Sequence, residues 1–122
     1  MAFEDYASLG KRRRRRPGYA LVASNGTIAF TPEDIERLGL TKGEAILCVD
    51  RAEKLIAIVK PVGLVPCVRV YQRARKNQPP FFEVCIKGAL QMMELPAEKW
   101  RRCLLIRHEP GRMLISFADP PA

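Results

Sequence analysis

One apolar pattern occurs twice along this 122-residue chain, and the repetition limits the folds open to it. Ile35, Leu38 and Leu40 recur as Leu90, Met93 and Leu95 at a constant offset of 55. Leu55, Ile56, Ile58 and Pro61 recur as Leu114, Ile115, Phe117 and Pro120 at a constant offset of 59. Two constant offsets with one insertion between them indicate an internal repeat, although any two β-hairpins around a helix share part of this outline. The chain divides accordingly into an arm over 1–17, a first unit over 18–61 and a second over 64–120.

The first unit can be read element by element. Tyr19–Ala23 and Thr27–Thr31 are apolar runs flanking Asn25-Gly26, a strong hairpin signal because both residues tolerate positive φ. Thr31 can cap a helix, Pro32 suits its first position, Glu33 and Asp34 favour its first turn, and Gly39 ends it. Two β-rich runs follow, Ala45–Asp50 and Lys54–Lys60. In the second unit, strands are predicted over Val65–Arg73, Phe81–Lys87, Arg102–His108 and Arg112–Ala118, with a short helix in Gly88–Leu95. The fold class expected is mainly β with short helices, as two tandem β-β-α-β-β units. Such a unit is too small to cover both faces of its sheet, and the runs 45–50 and 54–60 are apolar on both sides. The other unit is the simplest cover, giving one interleaved barrel or intramolecular pseudo-dimer.

The segment Asn25–Asp50 resembles the AbrB/MazE-type swapped-hairpin family, also described as SpoVT/AbrB-like. Gly26, Ile28, Phe30, Leu38-Gly39-Leu40 and Gly43-Glu44 follow that family's order of turn glycine, apolar strand, short helix and Gly-acidic pair. With its flanking strands the resemblance covers roughly a third of the chain, and the second unit keeps the hydrophobic outline alone. It implies an interleaved barrel, which the family builds from two chains and this sequence could build from one. It also implies DNA binding in transcription regulators or antitoxins. The family's basic contact surface is not carried over: Thr27 follows Gly26, and the helix bears Glu33, Asp34 and Glu36 beside Arg37 alone. Those acids are expected to repel phosphate.

Charge is concentrated elsewhere. Of the formal +8, Lys11, Arg12, Arg13, Arg14, Arg15 and Arg16 supply +6, while Pro17 onward carries 15 Lys/Arg against 11 Asp/Glu. Adjacent cations repel, so the arm is expected to be mobile when free. Arginine forks suit phosphates, and such an arm can lie in a narrow minor groove. A solubilising tail, or a dock for an acidic protein, is the other use of such a run. A second cluster comprises Arg69, Tyr71, Arg73, Arg75 and Lys76. Strand alternation places Arg69, Tyr71 and Arg73 on one face, where the ring can stack and the arginines can hold backbone. A solvated hairpin rim is the alternative. Lys99, Arg101, Arg102 and Arg107 form a looser third group around Trp100, read as a core anchor.

Enzyme chemistry finds no foothold. No phosphate-binding glycine loop, dinucleotide fingerprint or nucleophile elbow is present, and His108 is the lone imidazole. The four cysteines form no C-x-x-C pair and most lie in apolar runs, so buried, reduced thiols are expected rather than a metal site or disulfides. No cofactor or metal is expected. The N-terminus lacks the apolar core of a secretory signal and no run is long enough to span a bilayer, so a cytoplasmic protein without a membrane partner is expected. The leading expectation is a nucleic-acid-binding protein, DNA favoured over RNA, acting as a transcription regulator. Two others stand beside it: an antitoxin-like or polymerase-associated module docking an acidic partner, and a single-strand DNA or RNA binder. Homo-oligomerisation is compatible with each.

Overall fold

Gly26 takes a φ of 85°, and the apolar runs around it pair as β1 (Tyr19–Val22) and β2 (Thr27–Phe30) with Leu21 opposite Ala29. Asn25 Oδ1 stiffens the turn by accepting from the Thr27 amide at 3.2 Å and its hydroxyl at 2.8 Å. The computed structural model describes residues 17–40, 43–74, 76–77, 79–96 and 102–118. Helix α1 (Pro32–Leu38) starts at Thr31, whose side chain accepts from the Asp34 amide, and stops at Gly39, which donates to the Ile35 and Glu36 carbonyls from φ 86°. Then come β3 (Glu44–Asp50) and β4 (Leu55–Val59). The second half repeats this order with β5 (Val68–Arg73), β6 (Phe81–Cys85), α2 (Lys87–Met92), β7 (Arg102–Glu109) and β8 (Arg112–Ser116).

The eight strands close an antiparallel barrel in the order β1-β2-β6-β5-β3-β4-β8-β7. Hairpins of the two halves alternate around the ring, and exchanging β1–β4 with β5–β8 leaves every neighbour relation unchanged. Where β4 meets β8, Ile56 lies opposite Ile115. Those are the residues matched by the sequence offset of 59, so an approximate two-fold axis passes through this pair.

An eight-stranded barrel is just wide enough for side chains to fill it. Ala20, Val22, Ile28, Phe30, Ile56, Ile58, Val70, Val84, Met113 and Ile115 do so. Because β2 and β6 are antiparallel and each leads into a helix, α1 and α2 cap opposite ends. Ile35 and Leu38 enter the core from one end, and Ala89, Leu90 and Met93 from the other. The Gly26 carbonyl accepts from the Ile86 amide at 2.7 Å, tying the α2 end to the first hairpin turn.

Four sequence expectations change here. The strand predicted from Val65 begins at Val68, because the β3–β5 register would set Pro66, which has no N–H, opposite Leu47. The cysteines are not buried: Cys48, Cys67, Cys85 and Cys103 are all exposed, since Cys48, Cys85 and Cys103 occupy outward-facing strand positions, and Cys48, Cys67 and Cys85 are free thiols. Mutual covering of the two halves is complete only inside the barrel. On the outer wall Ile46 and Leu114 are buried, but Leu105 keeps 67% of its surface. Finally, Asp34 is no surface charge; it is 3% exposed beneath α1.

Candidate nucleic-acid interface

Strand β5 alternates in burial, with Val70 packed into the barrel and Arg69, Tyr71 and Arg73 directed outward. The Arg69 guanidinium carbon lies 5.8 Å from the Tyr71 ring centroid, and that of Arg73 lies 4.9 Å away. Two cations against one π-face is a favourable arrangement, roughly 0.5–1 kcal/mol each at an exposed site. The ring remains 40% exposed. Arg73 Nε also donates to Glu83 Oε1 of β6 at 2.9 Å, which fixes the lower end of this ladder. Arg69 faces Glu44 across β3 but makes no ion pair with a described residue.

Registers relate this ladder to the arm. Leu21, Ala29, Glu83 and Tyr71 form one cross-strand row over β1, β2, β6 and β5. Three strand spacings separate Tyr71 from Leu21, about 14 Å along the sheet. Following the same registers, the end of β5 at Arg73 and the start of β1 at Tyr19 lie toward the α1 end of the barrel. Lys11–Arg16 therefore enter the fold at the same end as Arg73, although those six residues and Arg75 lie outside the described residues. Lys76 stands exposed in the β5–β6 loop, next to Asn77 at φ 62°.

The root of the arm is clamped. The Gly18 amide donates to both oxygens of Asp34, at 2.9 and 3.0 Å. Thr31 Oγ1 donates to Asp34 Oδ2 at 2.9 Å, and His108 Nε2 lies 2.8 Å from Asp34 Oδ1. The carboxyl is thus held by three groups from the arm root, the helix cap and β7. Sequence reading assigned Asp34 to the helix dipole and gave His108 no partner. No spacing rule joins residues 74 apart. The nearest signal was Asp34 itself, placed one residue before the apolar face at Ile35.

At the other end Arg51 Nε donates to the Met92 carbonyl at 3.1 Å, so the β3–β4 turn packs on α2 much as β7 packs on α1. Of the third basic group, Lys99, Trp100 and Arg101 lie outside the described residues. Arg107 is exposed and paired with Glu109 at 3.0 Å. Glu109 also accepts from Arg112 Nε at 2.6 Å. Hydrogen bonding to Arg112 first, then the charges of Arg112 and Arg107, hold its carboxyl below the usual 4.5. Among the described residues no helix is long and apolar enough to cross a membrane, and no three His, Cys, Asp or Glu side chains gather as a metal site.

Comparison with protein-family models, with curated proteins and with solved structures finds no match for this chain.

Proposed function

We propose that this barrel binds nucleic acid, with duplex DNA in a regulatory setting as its target, and that its two halves form a swapped-hairpin pseudo-dimer within one chain. The observation that carries the binding reading is the Arg69–Tyr71–Arg73 ladder: two guanidiniums pre-ordered against an exposed ring on a rigid strand. Ordering beforehand lowers the entropy lost when phosphates are gripped. Along the row leading toward the arm the carboxylate is Glu83, and Arg73 already neutralises it. A polyanion following that row would meet the ladder at one side and the cationic arm at the other. Six extended residues reach at most about 20 Å, enough to bridge the separation. Burial of Asp34 supports the reading further, because it removes one of the acids that would repel a phosphate near α1.

The test is fluorescence anisotropy with duplex DNA, single-stranded DNA and RNA across a salt series, using the full chain and a version lacking residues 1–16. Duplex binding should fall with salt at a slope of about −0.9 for each phosphate neutralised. Removing the arm should flatten that slope, and R69A with R73A should flatten it again while circular dichroism stays unchanged. Preference for single strands that Y71A abolishes would move the target from duplex to single strands. Absence of binding to every nucleic acid at low salt would refute the proposal and leave an acidic protein as the arm's partner.

A further inference from the structure

The two halves differ at one place in the ring. Strand β1 pairs with β7 over four residue pairs, Tyr19–Leu105 to Val22–Arg102, whereas β5 pairs with β3 over two, Glu44–Arg69 and Ala45–Val68. Strand β3 runs on to Asp50, so one edge of its second half has no strand beside it. Val70 N–H donates to the Gly43 carbonyl at 2.7 Å. In an antiparallel ladder every second residue directs its N–H and C=O to the same neighbour. The backbone groups facing the β5 side are accordingly those of Gly43, Ala45, Leu47 and Val49. The first two meet Val70 and Val68. In the same register Leu47 and Val49 would face Pro66 and Leu64, and no backbone hydrogen bond joins 61–67 to β3. Leu64 instead stands fully in solvent at 103% exposure, flanked by the exposed Val62 and Val65.

An unpaired edge carrying Leu47-Cys48-Val49, without lysine or proline to blunt it, is a template for another strand. We infer that this edge pairs with the same edge of a second copy of the chain, antiparallel across a two-fold axis through Cys48. The register decides in favour of a second copy. Setting Cys48 opposite the partner's Cys48 brings Leu47 opposite the partner's Val49 and Val49 opposite the partner's Leu47. All four open backbone pairs are then satisfied, while Cys48 occupies the narrow, non-hydrogen-bonded position. The outward acids do not collide, since Asp50 falls opposite Ile46. The apolar loop 62–65 lies beside the seam and supplies further surface to bury.

This inference is independent of nucleic-acid binding, and its experiment contains no nucleic acid. Sedimentation velocity of the full chain should give a species of twice 13.8 kDa. Opposed residues at a non-hydrogen-bonded pair sit about 4.5 Å apart at Cα, within disulfide range. Mild oxidation with diamide should therefore produce a covalent dimer through Cys48, lost in C48S and retained when Cys67, Cys85 and Cys103 are serine. C48K places two like charges at the axis on a residue already exposed in the monomer, so it should yield a folded monomer. V49P removes an N–H that no strand of the monomer uses and should do the same. A wild-type monomer at all concentrations would overturn the inference. So would a dimer indifferent to C48K and V49P, or one crosslinked only through another cysteine.

Discussion

His108 Nε2 lies 2.8 Å from Asp34 Oδ1, with both side chains more than nine-tenths buried and 74 residues apart in sequence. The contact joins β7 to the first turn of α1, and the same carboxyl receives the Gly18 amide. One acid thereby fixes a helix, a strand from the other half and the point where the arm begins.

Removing Asp34 leaves the Gly18 amide, the Thr31 hydroxyl and the His108 ring without their acceptor inside the fold. Asp34→Ala should destabilise the protein by about 3 kcal/mol, in the range for breaking a buried polar pair. His108→Ala should cost less, since Asp34 keeps two other donors. Urea titration of both single variants and the double variant should give a coupling energy of at least about 1 kcal/mol. Additivity within about 0.5 kcal/mol would show that the contact has no energetic weight.

Gly26 should resist substitution for two separate reasons. Its φ of 85° disfavours any side chain, and an added Cβ would come within 2.7 Å of Lys87 Cβ and 3.1 Å of Lys87 Cα. Gly26→Ala is expected to cost about 2 kcal/mol or more from left-handed strain and displacement of α2. Thermal unfolding measures the total. Combining it with Lys87→Gly should recover the steric part alone.

Ile56 and Ile115 are both fully buried and face each other on the approximate two-fold axis. Truncation to alanine at either should cost about 2–5 kcal/mol. Because the two sites have equivalent surroundings, the two values should agree within about 1 kcal/mol. A much larger difference in urea midpoints at unchanged m-value would contradict that equivalence.

Glu109 gives a pH dependence whose sign follows from its depressed carboxyl. Its stabilising contribution is fully present above the unfolded value, 4.5, and is lost as pH falls through the lower folded value. Carbon-detected NMR titration should find Glu109 among the most acidic glutamates. R112A, which removes the leading cause, should raise it toward 4.5.

The extent of each strand and of the first helix was largely legible in the chain. Asn25-Gly26, Thr31-Pro32 and Gly39 are local signals acting on neighbouring backbone, and they stop and start elements within a residue or two of the observed ends. Alternation along 68–73 likewise placed Arg69, Tyr71 and Arg73 on one face. The cysteines misled for a related reason. In a strand with apolar residues on both sides, alternation cannot say which side becomes the inside.

Sequence alone determined the repeated order of strands and helices, because turn and cap chemistry and the twofold apolar pattern act over a few residues at a time. Tertiary structure decided which strands became neighbours, and therefore everything that depends on neighbours. Ring closure turned Cys48 and Cys103 outward, ended β5 at Pro66 so that half of β3 lost its partner, and carried His108 to Asp34. Those outcomes come from pairing segments distant in the chain, where the energy lies in hydrogen bonds and packing that no local pattern encodes.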